Sequence, residues 1–206
     1  MPDIRILSVD DHPLLREGVA SMINAEADMQ LVAEADCGAE AIKQFRSHRP
    51  DVTLMDLQMP GMNGVDAIRA IREEFEDARI IVLTTYTGDV QVLQALKAGA
   101  AGYLLKSALR TELLNAIRTV HTGHRHVSAS IATEVAQHVG EVALSERELE
   151  VLRKVAAGNS NKQVAAQLGI SEDTAKAHMK NILAKLNAND RTHAVTIAVR
   201  RGIIDI

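Results

Sequence analysis

Tryptophan is absent from this 206-residue chain, and Phe and Tyr occur twice each. So few aromatics argue against an aromatic-lined small-molecule pocket and against a stacking platform for single-stranded nucleic acid. The lone cysteine, Cys37, excludes an internal disulfide and fits a reducing compartment. No apolar run approaches the roughly 18 residues of a membrane span, and MPDIRILSVDD has no signal-peptide layout. A cytoplasmic protein without a membrane partner is expected. Proline is scarce, at four residues. What remains is 47% hydrophobic and 24% charged, the balance of a globular chain long enough for one large domain or two small ones.

Charge is divided unevenly. Residues 1–140 hold 13 Lys+Arg against 19 Asp+Glu, whereas residues 142–206 hold 10 against 7. The net −4 of the whole chain speaks against a protein that coats DNA uniformly. An acidic front and a mildly basic back suggest two domains with different partners.

The front half alternates strand-like and helix-like segments. Apolar runs at Ile4–Val9, Gln30–Ala35, Val52–Met55, Arg79–Leu83 and Gly102–Leu105 read as strands. Helical spacing marks Pro13–Ile23, Ala39–Phe45, Val65–Phe75, Val90–Lys97 and Leu109–Val120. In the third of these, Val65, Ile68, Ile71 and Phe75 form the apolar stripe. Five strands in strict alternation with five helices predict an α/β doubly wound, five-stranded parallel sheet over residues 1–121.

Past Val120 the alternation stops. THTGHRHVSAS reads as a connector, and Ile131–Val139 has the spacing of one helix, so residues 122–143 form a linker. Residues 144–206 carry only closely spaced helical signals. Ser145 with Glu148 and Ser160 with Gln163 form capping boxes. Gly158 and Gly169 mark helix ends, and Ser171 and Asp190 can cap two further helices. The expectation is an all-α, four-helix domain.

Chemistry concentrates at the predicted strand ends, the edge at which open parallel sheets gather their functional groups. Those ends hold Asp10 and Asp11, Asp56, Thr84 and Lys106. Singly, each has an ordinary reading as a turn residue, a cap or a solvated amine. Jointly they aim three carboxylates, a hydroxyl and an amine at one edge. A hard divalent cation offsets the repulsion among the carboxylates. A carboxylate can also attack phosphorus, while the cation and the lysine neutralise phosphoryl oxygens. The set suits an aspartyl phosphate.

In the back half, Asn161–Leu168, Gly169-Ile170-Ser171 and Glu172–Leu186 read as helix, turn, helix. Ala175, Met179, Ile182, Leu183 and Leu186 share the core stripe, leaving Lys176, Ala177 and Lys180 outside. Lys176 and Lys180 have no carboxylate between them. Such lysines reach phosphates or base edges in a major groove, although two lysines alone more often describe a solvated face.

The strings VDDH at 9–12, LMDLQMPGMNG at 54–64, VLT at 82–84 and GYLLK at 102–106 resemble a CheY-like, flavodoxin-like receiver domain. The stretch 144–195, with RELEVL, AAGNSNKQVA, LGIS and TAKAHMKNILAKL, resembles the LuxR-type (GerE) helix–turn–helix. Together they resemble NarL/FixJ-type two-component response regulators over almost the whole chain. The resemblance implies Asp56 as phosphoacceptor. It implies Mg²⁺ (or Mn²⁺) held by Asp11, Asp56 and the backbone carbonyl of Gln58, with Asp10 acting through water. Thr84 would be the switch hydroxyl, Tyr103 the switch aromatic and Lys106 the phosphoryl contact. Lys176, Ala177 and Lys180 would face DNA. A sensor histidine kinase, double-stranded DNA and, in the active form, a second copy of the chain would be the partners. Beyond Mg²⁺-dependent self-phosphorylation from small phosphodonors and self-dephosphorylation, no enzyme activity is implied. Ser107 departs from the proline that many receivers carry after the lysine.

Two rival readings carry other functions. An Asp-nucleophile phosphohydrolase typically has a second acid two residues after the nucleophile, where this chain has Gln58. A quorum-sensing receptor needs a ligand cavity in its front half, against which the strand-end acids speak.

Overall fold

The computed structural model describes residues 3–85, 88–137 and 143–204. Contacts divide the chain into two compact units, with a division at Thr133/Glu134.

The first unit is a parallel α/β sandwich. Its strands are β1 (Ile4–Val9), β2 (Met29–Ala35), β3 (Val52–Asp56), β4 (Ile80–Thr84), β5 (Gly102–Leu105) and β6 (His126–Val127). Its helices are α1 (Pro13–Asn24), α2 (Gly38–His48), α3 (Gly64–Glu74), α4 (Asp89–Lys97) and α5 (Leu109–His121), and α6 (Ala129–Gln137) follows at the division. All pairings are parallel, in the order β2-β1-β3-β4-β5-β6. Every residue of β3 and β4 is buried, because helices cover both faces. Ile4, Ile6, Val52, Leu54, Ile81, Leu83 and Leu104 share one face with Val19 and Ile23 of α1 and Leu113, Ile117 and Val120 of α5. The alternate residues Leu7, Val9, Met55, Ile80, Val82 and Tyr103 point the other way.

The sheet has six strands where five were expected. Inside the expected connector, His126 N donates to Ala101 O at 3.0 Å, and His126 and Val127 stand opposite Gly102 and Tyr103. A two-residue edge strand has no period to read, and the Gly123 turn signal before it masks the pairing. Gly102 makes room for it, since a Cβ there would lie 3.2 Å from the His126 carbonyl oxygen. His126, inside the expected connector, is therefore a half-buried strand residue.

The stripe of α3 also differs. Ala67, Ile68 and Ile71 are buried in it, whereas Val65 is half-buried and Phe75 lies just past the helix. Phe75 instead stacks on Phe45, ring centroids 5.1 Å apart, with the Arg49 guanidinium over its ring. Of the expected linker helix Ile131–Val139, the part up to Gln137 is helical and Val139 lies outside the described residues.

The second unit contains α7 (Glu146–Ala156), α8 (Asn161–Leu168), α9 (Glu172–Lys185) and α10 (Arg191–Arg200). Ser145 and Ser160 each close a capping box, with Glu148 and Gln163. Ser171 accepts from Thr174 N and Asp190 from His193 N, so all four helices start on a side-chain cap. Gly169 ends α8 in the left-handed region, at φ 65°. Val151, Leu152, Val155, Val164, Ala175, Met179, Ile182 and Ala198 lie in the shared core.

Candidate functional site

Strands β1, β3 and β5 deliver the first constellation. Asp10 follows β1 directly, Asp56 is the last residue of β3, and Lys106 opens a 3-10 turn directly after β5. The Lys106 Nζ lies 2.7 Å from Asp10 Oδ2 and 2.8 Å from Asp56 Oδ2. Both carboxylates are buried, Asp11 is half-exposed, and Lys106 is 11% exposed at its side chain. The Gln58 amide donates to Asp56 Oδ1 at 3.3 Å. The loop after β1 adds the His12 amide, which donates to Asp10 Oδ1 at 2.9 Å. His12 Nδ1 sits 2.8 Å from Asp11 Oδ1, and the Arg16 guanidinium donates to the Asp10 carbonyl.

These neighbours set the protonation energetics. Burial, and less strongly the Asp10 charge, push the Asp56 carboxyl above the ordinary carboxylate value, against the pull of Lys106. Burial disfavours the Lys106 ammonium, but its two carboxylate partners more than offset that and raise its pKa.

Oxygens of Asp10, Asp11 and Asp56 and a nitrogen of His12 lie within 4.8 Å of one another. Asp10 Oδ2 and Asp11 Oδ1 are buried, the first against Lys106 Nζ at 2.7 Å and the second against His12 Nδ1 at 2.8 Å. Three carboxylates against one ammonium leave negative charge to neutralise, and the oxygen-rich donor set fits a hard divalent cation.

Thr84 is buried at the end of β4, one residue beyond Leu83, the register partner of Asp56. Tyr103 is wholly buried on the face that Thr84 shares, with its hydroxyl beside Thr84. Burial raises the pKa of that phenol. Asp10, Asp11, Asp56 and Lys106 are thus brought together in space, with Thr84 on the adjoining strand and Tyr103 behind it.

Gly64 carries no functional group and is easily passed over in the sequence, yet it shapes the site. Its N–H donates to Leu57 O at 3.0 Å, and a Cβ would overlap the Asp56 carbonyl oxygen. Only glycine lets α3 begin this close to Asp56. Asn63 fixes the start by accepting from Asp66 N at 2.9 Å.

The second constellation lies on α9. Ala175, Met179 and Ile182 are buried, and Lys176, Ala177 and Lys180 are exposed. The absence of a carboxylate between the lysines is misleading. Lys176 Nζ lies 3.0 Å from Glu172 Oε1 and 3.5 Å from Asp173 Oδ1, both on the preceding turn. The i,i+4 and i,i+3 spacings carry that signal in the sequence. Lys180 makes no ion pair among the described residues.

Comparison with known proteins agrees with both halves. Residues 6–118 match the response regulator receiver domain, and residues 142–198 match the bacterial regulatory proteins of the luxR family. The transcriptional regulatory protein LiaR of Bacillus subtilis is 39% identical over 210 residues, covering 98% of this chain and all of that one. The crystal structure of the response regulator ChrA, from a heme-sensing two-component system, is 37% identical with TM-score 0.60, covering 99% of this chain and 100% of that chain. RcsB of Salmonella enterica serovar Typhimurium, solved bound to the promoter P1flhDC with the phosphomimetic BeF3−, is 25% identical with TM-score 0.75, covering 95% of this chain and 97% of that chain. These families are regulators rather than catalysts, which disfavours the phosphohydrolase reading, and a receiver in the front half replaces the ligand-sensing one. The chain belongs to the two-component response regulators, as a receiver domain joined to a LuxR-family helix–turn–helix of the NarL type.

Proposed function

We propose that Asp56 accepts a phosphoryl group and that its modification governs DNA binding through α9. The observation that carries this is the buried Asp56 carboxylate at the end of β3, with Lys106 Nζ 2.8 Å away and Asp10 and Asp11 beside it. An Asp56 carboxylate oxygen attacks the phosphorus of a phosphohistidine on a sensor kinase. The P–N bond breaks, the imidazole leaves, and an acyl phosphate remains. Small phosphodonors serve the same step, and water later removes the group, so the only chemistry is on the protein's own side chain.

Asp11, Asp56 and the Gln58 backbone carbonyl would hold Mg²⁺ or Mn²⁺, with Asp10 acting through water. When bound, the cation neutralises charge on the phosphoryl oxygens. Lys106 contacts the same oxygens, at the cost of its pairing with Asp56. Thr84 turns toward the new group, and Tyr103 repacks behind it. The event is a local charge change that biases a two-state element.

Lys176, Ala177 and Lys180 form the DNA face. The active form is a homodimer, as two-fold operators require. Residues 1–121 act as receiver, 122–143 as linker and 144–206 as DNA-binding domain. No described helix is long and apolar enough to cross a membrane, and a cytoplasmic location suits a regulator of transcription.

The test is exposure to acetyl phosphate with Mg²⁺, followed by intact mass. The wild type gains one acid-labile phosphoryl group and Asp56→Asn gains none. Equal labelling of the variant refutes the assignment. Asp11→Ala loses labelling with the loss of one of two side-chain ligands.

A further inference from the structure

The outer face of α9 is not the bare cationic surface that its lysines suggest. Glu172 and Asp173 occupy its first turn, and both reach Lys176, at 3.0 and 3.5 Å. Asp173 is 95% exposed, and Lys176 and Glu172 are about half-exposed. Four charges on this face, two of each sign, leave it electrically balanced. The carboxylates also raise the Lys176 pKa.

The arrangement contributes little to folding. Acidic residues in a first turn complement the helix dipole without any lysine reaching back to them. An exposed pair at this spacing adds little to a helix. The larger consequence falls on a polyanion approaching the face.

A lysine contributes to non-specific binding by displacing counterions from a phosphate. Lys176 can do so only with two carboxylates beside it, which repel the phosphate backbone. A base edge differs. Guanine O6 and N7 accept from a lysine, and the cytosine N4 amine donates to a carboxylate. The N-terminal residues of a recognition helix are those that meet base edges. A site with guanine and cytosine within reach of this turn therefore satisfies Lys176 and one of its carboxylates, whereas phosphates satisfy neither carboxylate.

We infer that Glu172 and Asp173 are specificity-determining positioning residues, which withhold Lys176 from phosphates and release it to a G·C-containing site. The inference rests on α9 being the DNA-reading helix.

Two probes suffice: a duplex enriched from a random library by the wild type, and the same duplex scrambled. Both are titrated across a salt series with proteins shown by circular dichroism to be folded. Glu172→Gln should bind the scrambled duplex several-fold more tightly, with a salt slope steeper by about one unit. The preference for the enriched duplex should fall by at least roughly fivefold. Glu146→Gln, the same charge change at an exposed position of α7, should leave that preference unaltered. In a Lys176→Met background, Glu172→Gln should change selectivity much less than it does in the wild type.

Equal effects of Glu172→Gln and Glu146→Gln would reduce the role to bulk charge and overturn the inference. So would an effect of Glu172→Gln that is equally large with and without Lys176. Lys180→Ala separates the two levels. If it keeps wild-type affinity for the enriched duplex, α9 is not the reading helix. If it loses affinity while Glu172→Gln changes nothing, only the withholding role fails.

Discussion

Asp56 illustrates how a single residue trades stability for chemistry. Burial raises its pKa above the ordinary 3.8, with Asp10 adding to the effect and Lys106 opposing it. A carboxyl harder to ionise in the folded than in the unfolded chain supports the fold while protonated. That support is lost as pH rises through the folded pKa. Asp56→Asn removes the buried charge and leaves Lys106 its Asp10 partner at 2.7 Å. Its Tm at pH 7 should exceed that of the wild type, and the gain should shrink as pH falls through the raised folded pKa, to vanish below the ordinary 3.8. A lower Tm at pH 7 would contradict this account. Gly64 tests the same site from the backbone. Gly64→Ala presses a methyl group into the Asp56 carbonyl, so a denaturant titration should show a loss of about 1–3 kcal/mol. Phosphorylation of Asp56 should slow as well, because the loop closed by the Gly64–Leu57 hydrogen bond must shift.

Among the elements, legibility followed how local the cause is. The caps at Ser145, Ser160, Ser171 and Asp190 could be read from spacing because each acts within one turn. The strands could be read because burial on both faces makes them continuously apolar. The edge strand His126–Val127 could not, since it rests on a pairing with distant Gly102 and Tyr103. The strand-end acids were visible as a set, whereas the Gly64 contact with Asp56 depends on backbone geometry that no spacing shows. On α7, Glu148 is buried and bound by Lys185 Nζ at 2.7 Å and by the Ser145 amide. Burial alone would raise its pKa, but Lys185 and Ser145 lower it on balance from the ordinary 4.5. That stabilisation is present above the unfolded pKa and is lost as pH falls through the folded one. Glu148→Gln should cost about 1–3 kcal/mol in chemical denaturation at pH 7, with the difference closing in acid. On α9, Lys180→Ala should leave the core stripe intact. Its cost should be on the order of 1–3 kcal/mol at a specific duplex if it reads a base. A phosphate contact would instead weaken all duplexes alike and lower the salt slope by about one unit.

At the scale of the whole molecule, the acidic front and the basic back acquire separate meanings. The front gathers carboxylates where a cation and a phosphoryl group can be held, and the back presents a helix whose exposed lysines face away from its core. The central claim is that modifying one buried carboxylate changes how the other half binds DNA. Fluorescence anisotropy on a duplex enriched from a random library tests it most directly, with wild type and Asp56→Asn compared before and after acetyl phosphate and Mg²⁺. The account predicts that wild-type affinity rises on treatment and that Asp56→Asn does not respond. An equal rise in the variant, or no change in a wild type whose mass shows it to be fully phosphorylated, would contradict it.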